Sequence, residues 1–150
     1  NLRSSFAQLR KSWYIFFFQI PWLPEFLVKM KNWKMGTASL TRTSRKGTFS
    51  ENDLVQYRKA WSQPKAIKSM INWYRAVIQK PPKSSGSSRI TVPTLVIWGA
   101  KDKFLGKEMA KQSIDLCDDG QLVFIEEATH WVQHEEAERV NELVDRFFKE

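Results

Sequence analysis

Thr94-Leu-Val-Ile-Trp-Gly99-Ala-Lys-Asp102 is the stretch of sequence on which the fold depends. Its four apolar residues, Leu95 to Trp98, are followed by a glycine and, three residues later, by a carboxylate. A short apolar run that ends at a turn residue is typical of a buried parallel strand. The stretch therefore predicts a strand that presents Asp102 in the loop at its carboxyl end.

A second apolar run, Leu122-Val-Phe-Ile125, leads into a loop that contains His130. Asp102 and His130 are 28 residues apart (130 − 102), about the length of one strand–helix–strand crossover, which brings both loops to the same edge of a parallel sheet. A buried carboxylate there would hold the imidazole in one tautomer and stabilise the imidazolium. We therefore predict that Asp102 orients a base, His130. The other histidine, His134, is interpreted as a surface residue.

The first half of the chain shows the periodicity of helices. Apolar residues recur at helical spacing in residues 5–20, and residues 25–35 predict another short helix. The polar and basic residues 36–47, which begin at a glycine, are interpreted as a loop.

Two further helices are predicted from their start signals. Ser50 and Asp53 approximate a capping box, so a helix is expected to begin there and to end near Trp61. Pro64 suits the first turn of the next helix. The apolar residues of that helix share one face: Ile67, Met70, Ile71, Tyr74, Val77 and Ile78.

A proline- and serine-rich segment divides the chain. Residues 81–89 are interpreted as a linker between an all-helical part, residues 1–80, and an alternating strand–helix part, residues 90–150. The second part contains only two convincing strands. Because a lone pair of strands is not a stable sheet and parallel strands are covered on both faces, we expect this part to be the back of a larger sheet.

Composition excludes several classes of protein. The 150 residues are 42% apolar, which is enough for the core of one domain. The net charge of +8 comes from scattered residues without a nucleic-acid motif, so no nucleic-acid partner is expected. The apolar run at residues 13–18 is too short for a membrane span. The single cysteine, Cys117, is interpreted as a small buried hydrophobe, and with no visible signal peptide a cytoplasmic location is expected.

Four motifs together resemble a known family. Residues 98–105, Trp-Gly-Ala-Lys-Asp-Lys-Phe-Leu, and residues 128–133, Ala-Thr-His-Trp-Val-Gln, resemble the acid and base segments of α/β-hydrolase epoxide hydrolases. Residues 12–25, Ser-Trp-Tyr-Ile-Phe-Phe-Phe-Gln-Ile-Pro-Trp-Leu-Pro-Glu, resemble the first cap helix of that family, and Asn72-Trp-Tyr74-Arg75 resembles the late one. The resemblance covers nearly the whole chain. It implies an α/β fold: the C-terminal part of an α/β-hydrolase, with two parallel strands and helices, preceded by an all-helical cap or lid at residues 1–80.

The resemblance implies a covalent mechanism without cofactor or metal. An aspartate attacks the ring carbon of a small apolar epoxide to give an alkyl ester, and water activated by His130 and Asp102 hydrolyses that ester. Tyr14 and Tyr74 match the cap tyrosines that donate hydrogen bonds to the epoxide oxygen, and a phenol with a pKa of about 10 stays protonated for that task. Three further side chains are expected to line an apolar pocket: Phe18, Leu105 and Trp131.

One part of the family's pattern is absent from these 150 residues. The nucleophilic aspartate normally lies in a His-Asp-Trp-Gly-like elbow and the oxyanion region in a His-Gly-Xaa-Pro-like loop; the sequence has neither, nor a Gly-Xaa-Ser-Xaa-Gly elbow. Because the sequence also starts without methionine, a truncated or processed product is expected. Its partner would be the missing amino-terminal half of the hydrolase core, and the chain alone is expected to be inactive.

Three alternatives remain open at this point. A haloalkane or haloacid dehalogenase uses the same aspartate–histidine–aspartate chemistry, although paired tyrosines favour an epoxide oxygen and a halide prefers N–H donors such as tryptophan. A non-catalytic interaction module could have kept the cap and lost the nucleophile, with its sheet edge paired to a partner chain. A basic amphipathic protein on anionic membranes is the third option.

Overall fold

A computed structural model describes residues 13–81 and 89–149 of the chain. The bounds of its elements are α1 Trp13–Phe17, α2 Leu23–Thr43, α3 Glu51–Trp61, α4 Ala66–Gln79, β1 Thr94–Gly99, α5 Lys107–Ile114, β2 Gly120–Ile125, α6 Val132–Glu135 and α7 Ala137–Lys149. We call residues 13–81 the helical half and residues 89–149 the strand half. The start of the helix predicted at residues 5–20 and most of the linker predicted at residues 81–89 lie outside the described residues.

The two strands pair in parallel, as their apolar runs predict. Their register aligns Thr94 with Gly120 and Gly99 with Ile125, and α5 connects them. Both strands therefore end at the same edge of the sheet, so the loops that follow them start side by side.

The described residues cover the faces of this sheet only in part. Residues 94–98 are all partly exposed, whereas Gly99 and Ile125 at the carboxyl edge are buried. On the amphipathic helix α7, Val144 is 37% and Phe148 is 81% exposed. Parallel strands with continuous apolar character are normally buried on both faces. The strand half therefore retains apolar surface that further packing could cover.

The helical half has an apolar core of its own. Its buried side chains come from α2, α3, α4 and the loop between α2 and α3: Leu40, Phe49, Leu54, Trp61, Ile67 and Ile71. Trp131 packs against this cluster from the strand half. One apolar cluster thus connects the helices with the loop that carries His130.

The loop prediction for residues 36–47 is wrong for most of that segment. Helix α2 continues to Thr43 after a kink at Met30–Trp33, where the backbone leaves helical geometry. Gly36 lies inside the helix because its missing side chain makes room for the indole of Trp61; a Cβ there would lie 2.7 Å from that ring. The hydroxyl of Thr43 donates to a carbonyl in the preceding turn. Tertiary packing here outweighs weak helix propensity.

The predicted start of α3 is confirmed, but the predicted start of α4 is wrong. Ser50 and Asp53 form a capping box, in which the Asp53 carboxylate accepts a hydrogen bond from the Ser50 N–H at 2.8 Å. Pro64 lies in a turn before α4, which begins at Ala66. The cause is Lys65, whose left-handed backbone, with a φ of 63°, separates the proline from the helix.

Cys117 is buried and has a free thiol, in line with its interpretation as a small hydrophobe. None of the helices in the two described ranges combines the length and the apolar character needed to cross a bilayer. The same ranges contain no group of three or more His, Cys, Asp or Glu side chains arranged to hold a metal ion.

Candidate active site

Asp102 and His130 form a hydrogen-bonded pair at the carboxyl edge of the sheet. His130 Nδ1 lies 2.9 Å from Asp102 Oδ2. Asp102 lies in the loop after β1 and His130 in the loop after β2, so neighbouring parallel strands contribute one member each. The structure thus brings together the two residues that the spacing of the sequence pairs.

Both oxygens of the Asp102 carboxylate are engaged. Oδ1 accepts hydrogen bonds from the backbone N–H groups of Phe104 at 2.7 Å and Leu105 at 2.9 Å, while Oδ2 faces His130. The side chain is 7% exposed. Burial by itself would raise the pKa of Asp102, but the hydrogen bonds from His130, Leu105 and Phe104 outweigh it and hold the pKa below its ordinary value. Asp102 therefore stays ionised at neutral pH.

The ionised Asp102 fixes the tautomer of His130. A carboxylate can only accept hydrogen bonds, so Nδ1 carries the proton and donates it to Oδ2. Nε2 is then the basic nitrogen. Because the His130 side chain is 35% exposed, water can reach the imidazole. This arrangement suits a general base that takes a proton from water.

The loops after the two strands are fastened to each other. The Lys101 N–H donates to the Ala128 carbonyl at 2.9 Å. The backbones pass so closely that a Cβ on Gly99 would lie 1.9 Å from the Thr129 carbonyl oxygen. Any side chain at this position would push the loops apart. The position of His130 therefore depends on this glycine.

A row of aromatic rings connects the helical half with His130. Tyr74 and Tyr14 meet edge to face with their ring centroids 5.8 Å apart. Tyr14 meets Phe104 at 5.9 Å, and Phe104 meets His130 at 5.0 Å. Phe18 packs on Tyr74 at 5.0 Å. Both tyrosines singled out in the sequence therefore belong to the row of rings that ends at His130.

The surroundings of Tyr14 raise the pKa of its phenol. The main cause is burial, followed by the nearby Tyr74 and the negative charge of Asp102. The phenol therefore stays protonated at neutral pH and can donate a hydrogen bond. Sequence reasoning missed Phe104, which lies between this ring and His130; its place two residues after Asp102 is the signal that could have found it.

Arg75, to which sequence reasoning assigned no role, connects the segments that carry the tyrosines. Its guanidinium donates to the Phe18 and Ile20 carbonyls, each at 2.8 Å, and forms an ion pair with Glu25 at 2.6 Å. The two charged side chains are only 14% and 15% exposed. The hydrogen bond from Arg75 is the main reason why the pKa of Glu25 is lowered. Since Arg75 directly follows Tyr74, this clamp fixes how α1 and α4 lie against each other.

Leu105 and Trp131, both predicted to line a pocket, flank the acid–base pair in different ways. Leu105 is half-buried and donates its backbone N–H to Asp102. The Trp131 ring lies edge to face against His130 with centroids 5.3 Å apart. Its indole N–H donates to the Thr43 hydroxyl at 2.8 Å, so this ring also connects the site with the helical half.

Glu135 joins the helical half to the loop that carries His130. Its buried carboxylate accepts hydrogen bonds from the Thr129 N–H at 2.6 Å, the Thr129 hydroxyl at 2.7 Å and the Arg45 N–H at 2.7 Å. The Arg45 guanidinium donates to the Glu135 carbonyl and pairs with Glu136 at 2.7 Å. Burial by itself would raise the pKa of Glu135, but the hydrogen bonds from Thr129 and Arg45 outweigh it, so the pKa is lowered.

Replacement of Glu135 by glutamine is expected to lower the free energy of unfolding at pH 7 by about 1–3 kcal/mol, because the donors of Thr129 and Arg45 lose a charged, buried acceptor. The pKa of Glu135 is lower in the folded protein than in the unfolded chain, where it is about 4.3. The ionised carboxylate therefore makes its full contribution to the free energy of unfolding above about pH 4.3, and this contribution is lost as the pH falls through the pKa of the folded state. Urea unfolding between pH 7 and pH 3 measures the effect. The difference in the free energy of unfolding between wild type and Glu135→Gln should become smaller in acid. The control Glu138→Gln, at an exposed position, should have the wild-type free energy of unfolding throughout this pH range. A difference that stays constant with pH would contradict the role of the charge.

The comparisons with known proteins agree with this geometry. The family model described as alpha/beta hydrolase fold matches residues 8–137. The AB hydrolase superfamily protein YfhM of Bacillus subtilis (strain 168) is 37% identical over 142 residues, which cover 95% of this chain and 49% of that protein. Epoxide hydrolase 4 of Homo sapiens is 38% identical over 150 residues, which cover 96% of this chain and 41% of that protein.

A solved structure has the same fold. The crystal structure of a mutant epoxide hydrolase from Bacillus megaterium matches with a TM-score of 0.83 and 20% identity, over 99% of this chain and 55% of that one. At that identity the likeness concerns the fold alone. The chain spans about half the length of the relatives that it matches. From the family match and the paired strands with their loops, we conclude that the chain belongs to the α/β-hydrolase fold family and is epoxide hydrolase-like.

Proposed function

We propose that this chain supplies the acid–base pair and the oxygen-binding tyrosines of an enzyme that hydrolyses epoxides to vicinal diols. The observation that carries the proposal is the row of rings that runs from Tyr74 through Tyr14 and Phe104 to His130, the partner of Asp102. An epoxide needs both kinds of group: a proton donor for the oxygen that leaves carbon, and a base that activates water. The similarity to an epoxide hydrolase supports this chemistry.

The reaction proceeds in two covalent steps. An aspartate carboxylate attacks a ring carbon, the carbon–oxygen bond breaks, and Tyr14 or Tyr74 protonates the alkoxide. His130 then removes a proton from water through Nε2, and the hydroxide attacks the ester carbonyl. Breakdown of the ester releases the diol and restores the aspartate, while the proton on His130 restores the phenol directly or through solvent. Asp102 stabilises the imidazolium in between.

The side chains around the pair favour a small apolar substrate. Phe18 and Phe104 pack against the tyrosine rings, and the half-buried Leu105 follows Asp102 in its loop. Trp131 adds its ring to the same wall through its contact with the imidazole. A pocket lined by these side chains would bind its ligand by apolar contact and orient it through a few polar groups, here the two phenols.

The nucleophile in this proposal comes from the rest of the hydrolase core. The 150 residues hold no His-Asp-Trp-Gly-like elbow, and the matched relatives are about twice as long. Strand β1 is half-buried, and the indole N–H of Trp98 on that strand is buried without an acceptor among the described residues. Further strands packed beside β1 would cover the exposed part of this strand. In this proposal residues 1–80 are the cap, and residues 81–89 are the linker that follows it.

The same aspartate and histidine chemistry would serve a haloalkane or haloacid dehalogenase, but the side chains beside the pair favour an epoxide. A halide leaving group is stabilised by N–H donors. The indole N–H of Trp131, whose ring contacts His130, is already engaged by Thr43. The helical half contributes Tyr14 and Tyr74 to the row of rings that ends at His130, and their phenols suit an oxygen leaving group.

Styrene oxide tests the proposal directly. The complete hydrolase should convert it to a diol, and the isolated chain should not. In a single turnover in ¹⁸O-labelled water the first diol should be unlabelled, because the ester transfers a carboxylate oxygen of the enzyme. Release of bromide from 1-bromobutane without diol formation would identify a dehalogenase instead. If the isolated chain forms diol, the nucleophile lies within these residues. If a folded complex with the amino-terminal half neither forms diol nor releases bromide, the result favours the non-catalytic interaction module.

Replacing Tyr14 and Tyr74 together by phenylalanine is expected to slow ester formation at least about 100-fold, because the alkoxide then forms without a proton donor. Phenylalanine keeps both rings, so hydrolysis of an ester already formed should change little. Rapid-quench mass spectrometry of the alkylated protein separates the two rates.

Tyr57→Phe is the matched control for this experiment. Tyr57 is the only other tyrosine of the chain, and its hydroxyl lies 3.2 Å from His134 Nε2, away from the acid–base pair. Both rates should stay within about twofold of wild type in this variant. Ester formation at the wild-type rate in the double variant would contradict the role of the tyrosines.

A further inference from the structure

A groove on the helical half has three tryptophans and three lysines among the residues that line it. It has a volume of about 770 Å³, and the residues that line it include Trp22, Lys29, Trp33, Trp61, Lys65 and Lys68. None of the candidate site residues around His130 lines it. Its volume lies in the range of small-molecule pockets, about 300–1,000 Å³.

The groove carries an excess of positive charge. Glu25 and Arg75 also line it, but they neutralise each other through their ion pair at 2.6 Å. Lys29, Lys65 and Lys68 form no salt bridge with any residue in the two described ranges, although the charge of Lys68 adds to the lowering of the pKa of Glu25. An anion in the groove would therefore meet three ammonium groups that are not already paired.

The aromatic wall of the groove is only partly covered. Trp61 is buried, and Trp33 packs on it with ring centroids 6.1 Å apart. Trp22, by contrast, is 72% exposed. An exposed indole beside a groove offers a face on which a flat ring can stack. An epoxide has no negative charge, so the ligand class that fits this groove differs from the substrate of the proposed reaction.

The backbone around the groove is held in an unfavourable conformation. Within residues 13–81 and 89–149, the non-glycine residues with positive φ are Trp22, Lys31, Asn32, Trp33 and Lys65. Three of them line the groove, and the other two directly precede Trp33. Such geometry costs about 1–3 kcal/mol per residue and persists where the surrounding structure imposes it, often at ligand-binding sites. The strained backbone therefore coincides with the charged and aromatic lining.

We propose that this groove binds a small aromatic anion, an aromatic carboxylate or sulfonate. Its ring stacks on Trp22, and its charge is neutralised by Lys29, Lys65 and Lys68. Binding does not depend on the proposed hydrolysis and is measured without an epoxide, so the two proposals can fail separately.

Calorimetric titration of the whole protein with naphthalene-2-sulfonate tests the site. The sulfonate should bind saturably at one site, and the uncharged 2-naphthalenemethanol should bind at least about tenfold more weakly. Trp22→Ala should weaken binding of the sulfonate at least about tenfold. Trp73→Ala is the matched control because it removes an indole of similar exposure, 74%, that does not line the groove, and it should leave the affinity unchanged.

A second pair of variants tests the charge. Lys65→Gln with Lys68→Gln should weaken binding at least about tenfold, whereas Lys103→Gln with Lys111→Gln, which lowers the net charge equally outside the groove, should not. Circular dichroism checks the fold of each variant. If Trp22→Ala does not fold, the test of the site is the affinity of the variant with Lys65→Gln and Lys68→Gln, which changes only exposed side chains. The proposal is overturned if the sulfonate does not bind saturably or if the alcohol binds equally well. It is also overturned if a groove variant and its matched control lose the same affinity for the sulfonate.

Discussion

Replacement of His130 by alanine is expected to stop the complete hydrolase after one equivalent of substrate, with the alkyl ester trapped on the aspartate. In the proposed mechanism, the first step uses the nucleophile and the tyrosines, which act without the imidazole. The second step loses the group that takes a proton from water, and a general base contributes about 10²–10⁴-fold to a rate. Steady-state turnover of styrene oxide should fall accordingly, while the burst of ester formation remains visible by intact-mass spectrometry.

His134→Ala is the control, since the chain has only two histidines. His134 is exposed, packs against Phe49 and lies within hydrogen-bond distance of the Tyr57 hydroxyl. Loss of that bond should cost about 1 kcal/mol of stability and leave the acid–base pair intact. Wild-type turnover in His130→Ala would remove His130 from the mechanism. Failure of that variant to form the ester would show that the imidazole acts before alkylation.

The strand half could be predicted because its signals are local. Each strand is one apolar run, and a rule of topology sends both carboxyl ends to one edge of the sheet. Gly99 marks the end of the first run, and the loops that follow are short, so Asp102 and His130 have little freedom to be elsewhere. The hydrogen bond of 2.9 Å between them follows from these constraints.

The helical half could be predicted less well because its decisive contacts span long stretches of sequence. Gly36 is typical of a helix end when only its neighbours are considered, but in the fold it makes room for the ring of Trp61. Arg75 reaches Glu25, 50 residues earlier. Composition and periodicity contain no information about such pairs, so the continuation of α2 and the clamp between the tyrosine-bearing segments appear only in three dimensions.

The connection between the two halves was also beyond prediction from the sequence. Arg45 lies in the segment that was interpreted as a polar loop, and Glu135 lies beside a histidine that was interpreted as a surface residue. They meet across 90 residues, where the carboxylate also holds Thr129, the neighbour of His130. A buried carboxylate is recognisable only from its partners, because glutamates are mostly exposed.

Replacement of Gly99 by alanine is expected to destabilise the protein by about 3 kcal/mol or more, since overpacking that cannot be relieved by side-chain motion moves backbone. The new Cβ would lie 1.9 Å from the Thr129 carbonyl oxygen and 2.8 Å from that of Ala128. The loops after β1 and β2 must therefore separate by about an ångström, which would pull His130 away from its carboxylate. A displacement of that size can cost about 100-fold in rate, so the complete hydrolase should lose turnover even where the variant is folded.

Gly120→Ala is the matched control at the opposite end of the paired strands. Its Cβ would meet the terminal carbon of Ile114 at 2.7 Å and the Cβ of Cys117 at 2.9 Å. Rotation of the Ile114 side chain relieves the first overlap, and a small shift of the chain at Cys117 relieves the second. We expect a loss of about 1–2 kcal/mol and unchanged chemistry at His130. Urea unfolding followed by tryptophan fluorescence measures the stabilities, and styrene oxide turnover measures the rates. Equal effects of the two substitutions on turnover would contradict the specific dependence of the His130 loop on Gly99, because only Gly99 touches the backbone of that loop.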